Sequence, residues 1–214
     1  MDPQFWHTRW QTNQIGFHEG APNALLTGHF AALGLTPPGR VFVPLCGKSH
    51  DMDWLRAQGF EVLGAELSPL AAAQFFAERG LTPETTASGA HQRLSAAGVT
   101  IFVGDLFDLT APQLGPIDAL YDRGAIVALP PTLRARYAPQ LLALTSAAPQ
   151  LVIAFAYDQS KLSGPPFSVT EDELRAHYSA THTLTLAHSY EVPGGMKGAC
   201  PATESAWLLT PRCA

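Results

Sequence analysis

Val41-Phe-Val-Pro-Leu-Cys-Gly-Lys-Ser-His-Asp51, followed after a short helical stretch by Glu61-Val-Leu-Gly-Ala-Glu-Leu67, decides the fold. An apolar run ends at Leu45-Cys46-Gly47, polar residues open a helix, and a second apolar run ends in the acid Glu66. The pattern is strand, tight glycine turn, helix and second strand tipped with a carboxylate. Such units bind nucleoside-bearing cofactors at the carboxyl ends of parallel strands.

Three ligands compete for this unit. Gly47-Lys48-Ser49 suggests a P-loop, but that motif needs a glycine at position 42, where Phe42 stands, so the phosphate nest is not built. A dinucleotide fingerprint needs three glycines, and Gly47 alone cannot line a pyrophosphate. S-adenosylmethionine carries no phosphate, so one glycine suffices for close backbone approach. Glu66 lies about nineteen residues after Gly47, the spacing expected of a ribose-binding acid. Asp105-Leu106 and Asp122-Arg123 fall at the ends of the next two strands and complete a polar edge. Taken alone, Glu66 also reads as a solvated strand-end carboxylate.

Outward from this unit the chain alternates. Asp2-Pro3 opens a helix reaching about residue 14, with Trp6 and Trp10 on one face. That stripe reads as core packing or as a lid over a ligand. Gln14 to Gly20 is a loop presenting Phe17, residues 22–34 form an amphipathic helix ended by Gly34, and 37–39 is a turn. Ser68-Pro69 starts an Ala-rich helix closed by Gly80. Residues 82–98 read as a mobile connection. Strands are expected at 99–103, 117–121 and 150–156, with a helix at 132–145. Continuous apolar strands imply helices on both sheet faces. A loop at 163–167 precedes a helix from Thr170, and alternating segments at 181–192 and 203–210 read as antiparallel strands around a loop at 193–201. The expected fold is α/β, Rossmann-like, a mostly parallel seven-stranded sheet with an antiparallel edge. One domain over 1–214 is expected: an N-terminal lid (1–34), a cofactor core (40–157) and acceptor-side loops with the edge (158–214).

Composition excludes several classes. The formal charge of −5 argues against nucleic acid and anionic membranes as partners, and no apolar run is long enough to span a bilayer. The N-terminus lacks the features of a signal peptide. Cys46, Cys200 and Cys213 are odd in number and far apart, which fits a reducing cytoplasm better than a disulfide framework. The eight histidines show no metal-ligand spacing, so no metal is expected. A monomer is expected.

Phe5-Trp6-x-x-x-Trp10, Gln14-Ile-Gly-Phe-His18, Val43-Pro-Leu-Cys-Gly-Lys-Ser49, Gly64-Ala-Glu-Leu-Ser68 and Tyr121-Asp-Arg-Gly-Ala125 together resemble the thiopurine S-methyltransferase family. The resemblance covers about 4–157 and is thin beyond. It implies a class I methyltransferase fold with S-adenosylmethionine as donor. By it, Trp10 packs over the cofactor, Leu45 lines it, Glu66 holds the ribose and Asp105-Leu106 flank adenine. Arg123 contacts the cofactor and the acceptor, and Phe17 faces the acceptor. Tyr121 departs from the family, which is expected to carry Trp before Asp-Arg-Gly.

The implied reaction is methyl transfer to sulfur on a small aromatic or heterocyclic thiol, extending to selenium or tellurium species in detoxification. Alignment and exclusion of water carry such a displacement, so no catalytic residue is required beyond Arg123 as anion stabiliser. Arg123 otherwise reads as a structural pair with Asp122, and Lys197 as a solvated loop charge. Cys46 lacks a base and reads as a small buried residue. Alternatives are methylation of another small nucleophile (halide, thiocyanate, simple thiol) and a non-catalytic nucleotide-binding module.

Overall fold

The structure, a computed structural model, describes residues 3–212, so the expected Asp2 cap and Cys213 lie outside the described residues. Strand β1 (Arg40–Pro44) pairs in parallel with β2 (Glu61–Glu66) on one side and β6 (Ala119–Arg123) on the other. β2 continues to β5 (Val99–Val103), and β6 to β7 (Gln150–Tyr157), all parallel. The chain leaves β1 toward both sides of the sheet, and this reversal opens the crevice in which α/β proteins bind ligands. Beyond β7 lie the antiparallel β9 (Ala202–Pro211) and β8 (His182–Glu191).

Among the described residues the sheet has nine strands rather than seven, in the order β3 (Glu84–Ser88), β4 (His91–Ala96), β5, β2, β1, β6, β7, β9, β8. The extra pair, β3 and β4, lies in the segment read as a mobile connection. β3 is solvated along most of its length, so it shows no alternation of apolar and polar residues. What the reading lacked was turn chemistry. Gly89-Ala90 and Ala97-Gly98 are two-residue hairpin loops, and Ala97 and Gly98 both take positive φ, +49° and +80°.

Alternation along the central strands divides the core between two faces. Val41, Val43, Val62, Ile101 and Tyr121 pack with Leu26 and Phe30, with Met52 and Leu55 of α3 (Asp51–Ala57), and with Phe75 and Phe76 of α4 (Pro69–Ala77). Phe42, Leu63, Phe102, Leu120 and Val152 pack with Tyr137 and Leu141 of α6 (Pro131–Thr145) and Leu174 and Tyr178 of α7 (Glu171–Tyr178). Ser68 and Thr170 cap α4 and α7 as expected.

At the N-terminus, α1 (Pro3–Gln11) stops short of residue 14 because Asn13 turns left-handed and Gln14 N–H bonds back to the Arg9 carbonyl. The helix expected over 22–34 is α2 (Ala24–His29) followed by a 3₁₀ turn (Phe30–Leu33), since His29 leaves helical geometry. A one-turn α5 (Ala111–Leu114) precedes β6. β6 also runs two residues further than expected, which draws Asp122 into the sheet. Among the described residues no helix is long and apolar enough to cross a membrane.

Candidate functional site

The turn after β1 is tight. Leu45 and Gly47 both adopt left-handed backbone, at φ +47° and +53°. Glycine does so freely, whereas a leucine held there stores strain of the kind found at ligand sites. Between them, Cys46 sends its amide to the Ala65 carbonyl at 3.0 Å. Its thiol fills the space above Gly64, where a Cβ would stand only 2.5 Å from Sγ. The glycine inside β2 is therefore matched to the cysteine of the turn.

Glu66 reaches back onto this loop. Its Oε2 accepts from the Gly47 amide at 2.8 Å and its Oε1 from the Ser68 amide at 2.7 Å. The side chain is 5% exposed. Burial pushes its pKa up to about 7 against the pull of the amides. Each oxygen retains a lone pair, which matches a pair of vicinal hydroxyls.

Trp10 of α1 covers the turn: a Cβ on Gly47 would stand 3.1 Å from its indole. Phe17 stands edge-on to both Trp10 (5.6 Å) and Trp6 (5.7 Å), and Phe5 to Trp6. Trp10 is 5% exposed and Phe17 41%, so the cluster has a dry inner end and an open outer end. Arg123, at the end of β6, ties this segment down by ion-pairing Glu19 and donating to the Phe17 carbonyl at 3.3 Å. Its partner is thus Glu19, not Asp122 as the structural reading had it.

Asp122 instead turns to the opposite face. It is buried, accepts from the Ile126 amide at 3.0 Å and the Tyr137 hydroxyl at 2.8 Å, and burial raises its pKa to about 6. Tyr121, in the position where Trp was expected, donates to Asp51 at 3.0 Å, and Asp51 also receives the Asn23 amide at 2.7 Å. These buried bonds join β6, α3 and the start of α2.

After β5, Asp105 is exposed and its Oδ1 accepts the Phe107 amide at 3.0 Å. Buried His91 of β4 holds the Asp105 carbonyl at 2.9 Å, so the overlooked hairpin supports this edge. Leu106 is buried in the core between sheet and α6. Lys48 is held by Glu78, and Arg79 pairs with Asp53 while reaching the Lys48 and Ser49 carbonyls. The cation that a phosphate would need is therefore already engaged. Lys197 donates to the Pro165 carbonyl at 2.8 Å and joins the loops 163–167 and 193–201 rather than floating in solvent.

Gly47, Glu66, Trp10, Phe17 and Arg123 form a chain of contacts at the ends of β1, β2 and β6, while Leu45, in the same turn, packs against the core between the sheet and α6; Asp105 and Leu106 stand at the end of β5, beyond β2. The reading missed Glu19, Asp51 and His91. Glu19 and Asp51 border quoted motifs, and His91 lies in a segment without a motif. One glycine, one buried acid and an aromatic cover suit a nucleoside ligand without phosphate.

Solved structures share this fold. A 1,6-didemethyltoxoflavin-N1-methyltransferase from Burkholderia thailandensis, solved with its namesake compound and S-adenosylhomocysteine, superposes with a TM-score of 0.64 at 19% identity, over 97% of this chain and 87% of that one. A TehB-like S-adenosylmethionine-dependent methyltransferase from Corynebacterium glutamicum gives 0.57 at 15% identity over 98% of both chains. The protein has the fold of the class I S-adenosylmethionine-dependent methyltransferases. The family model described as Thiopurine S-methyltransferase (TPMT) matches residues 1–200. A protein named thiopurine S-methyltransferase from Xanthobacter autotrophicus is 56% identical over 98% of this chain and 99% of its own length. One of the same name from Gluconobacter oxydans is 49% identical over 97% and 94%. The chain belongs to the thiopurine S-methyltransferase family and is a methyltransferase that uses S-adenosylmethionine.

Proposed function

We propose that this enzyme methylates the sulfur of small aromatic or heterocyclic thiols of the thiopurine type, and selenium or tellurium species of similar softness. The observation that carries this reading is the row Gly47–Trp10–Phe17–Arg123, in which the half-open Phe17 ring stands edge-on to Trp10 over the donor turn and a guanidinium holds the Phe17 backbone. That relatives from Xanthobacter autotrophicus and Gluconobacter oxydans carry the name thiopurine S-methyltransferase supports the thiopurine part of this reading.

The bound donor would supply an electrophilic methyl on a sulfonium. Glu66 would hold the ribose hydroxyls, Gly47 and Leu45 the backbone side of the donor, and Asp105 with Leu106 the adenine edge. Trp10 and Phe17 would exclude water and present a stacking face, so that the reacting atoms meet in line. Residues 1–34 would act as the lid and 158–214 would frame the acceptor. Arg123 would stabilise an anionic acceptor by exchanging Glu19 for it.

Incubating purified protein with labelled donor and 6-mercaptopurine tests the reading, with halide, thiocyanate and simple thiols as competitors. Methylated mercaptopurine is expected. No product from it, and none from selenite or tellurite, overturns the sulfur assignment.

A further inference from the structure

Glu204 is a buried carboxylate that the donor site does not use. It opens the inner part of β9, is 8% exposed, and pairs across the strands with Phe155 on β7 and Tyr190 on β8. The Tyr190 hydroxyl donates to it, and among the described residues it makes no salt bridge. Arg123 lies in the adjacent row of the same sheet: it pairs with Ile153, which pairs with Ala206, two residues along β9 from Glu204. Side chains two apart on a strand share a face. Glu204 therefore lies on the Arg123 side of the sheet, at the ligand-binding end of the parallel strands.

A carboxylate left in so dry a place without a cation is costly to structure. The neighbouring guanidinium is engaged by Glu19 instead, and Tyr190, 39% exposed, lies between Glu204 and solvent. An acceptor beside Arg123 thus shares a sheet face with a carboxylate whose charge the Arg123 guanidinium senses and which, besides the Tyr190 bond, the donor site does not use.

We propose that Glu204 is the proton acceptor of the reaction, which lets the enzyme methylate acceptors that arrive protonated, as thiols or as thiones with a ring N–H. This rests on the sulfur-methylation reading above. In the step the acceptor sulfur forms its bond to the methyl carbon, and the carbon–sulfonium bond breaks with its electron pair going to the donor sulfur. The S–H or N–H proton passes to the Glu204 carboxylate and later to solvent.

The groups facing Glu204 set its titration. Tyr190 on β8 and Arg123 from β6 favour the ionised form, whereas burial and Glu19 from the N-terminal loop oppose it, burial most strongly. β7 offers the apolar Phe155 opposite, and His188 stands 5.9 Å from the Tyr190 ring. The balance leaves the Glu204 pKa above the ordinary carboxylate value, in the direction that makes it a stronger base.

The test compares an acceptor ionised throughout, thionitrobenzoate, with one largely protonated, such as an alkyl thiol. Glu204→Gln is expected to lower kcat on the protonated acceptor by roughly 100-fold or more, the usual contribution of a general base, and far less on the ionised one. S-adenosylhomocysteine affinity, measured by calorimetry, should stay at the wild-type level and report an intact fold. In wild type, kcat on the protonated acceptor rises with pH. Tyr190→Phe removes a bond to the ionised form and should move that rise to higher pH. Equal losses on both acceptors, an unmoved profile in Tyr190→Phe, or a wild type that methylates thionitrobenzoate but not the protonated acceptor overturns the proposal. Wild type that methylates neither acceptor overturns the parent reading instead.

Discussion

At the scale of single residues, Glu66 concentrates the chemistry of the donor site. Replacing it with Gln removes charge from two amide bonds and from the proposed ribose contacts. S-adenosylhomocysteine binding should weaken by on the order of 1–3 kcal/mol, read by calorimetry. Because the Glu66 pKa stands at about 7 and ligand hydroxyls favour the ionised form, wild-type affinity should climb as pH rises through about 7. The Glu66→Gln affinity should be flat across that range, and parallel curves for the two would rule out the ribose role. Arg123 gives a second case. Glu19→Gln releases the guanidinium, so KM for an anionic acceptor should fall several-fold; an unchanged KM would mean that Glu19 does not compete with the acceptor.

Between elements, β1 and β2 are locked through Cys46 and Gly64. Gly64→Ala forces a methyl against the thiol and should cost about 1–3 kcal/mol, seen as a lower urea midpoint. Adding Cys46→Ala removes Sγ and should recover part of the loss; strict additivity would mean that the contact is not the cause. The N-terminal helix lies over the same turn. Trp10→Ala should weaken donor binding while leaving the urea midpoint nearly unmoved if α1 serves as a lid. A large stability loss would make it a core element instead.

Across the whole molecule, Glu66 and Asp122 link stability to pH. Unfolded, they release protons near 4.5 and 3.8; folded, they hold them to about 7 and about 6. The folded chain therefore binds more protons in that window, and their stabilising contribution, complete at low pH, is lost as pH rises. For Glu66 the gap is worth on the order of 3 kcal/mol. The lowered pKa values of His18 and His182 act in the opposite direction, so the test is a difference. Between pH about 4.5 and about 7, the ligand-free wild-type midpoint should decline relative to Glu66→Gln. Parallel midpoints would contradict the buried, proton-holding carboxylate.

The sequence by itself determined the unit from β1 to β2, the single-glycine turn, the acid that faces it and the aromatic segment above. These are local matters: apolar periodicity, glycine and capping residues act on neighbours in the chain. Tertiary structure decided what depends on distant partners. The polar β3–β4 hairpin exists because β5 offers an edge to pair with, and Asp122 is buried because β6 runs two residues longer. The Arg123–Glu19 pair joins positions 104 residues apart. Tyr190 and Glu204 meet only because two strands without a motif pair in one register. A side chain's chemical type is written in the chain, but its burial and its partner are fixed by the strands that pack around it.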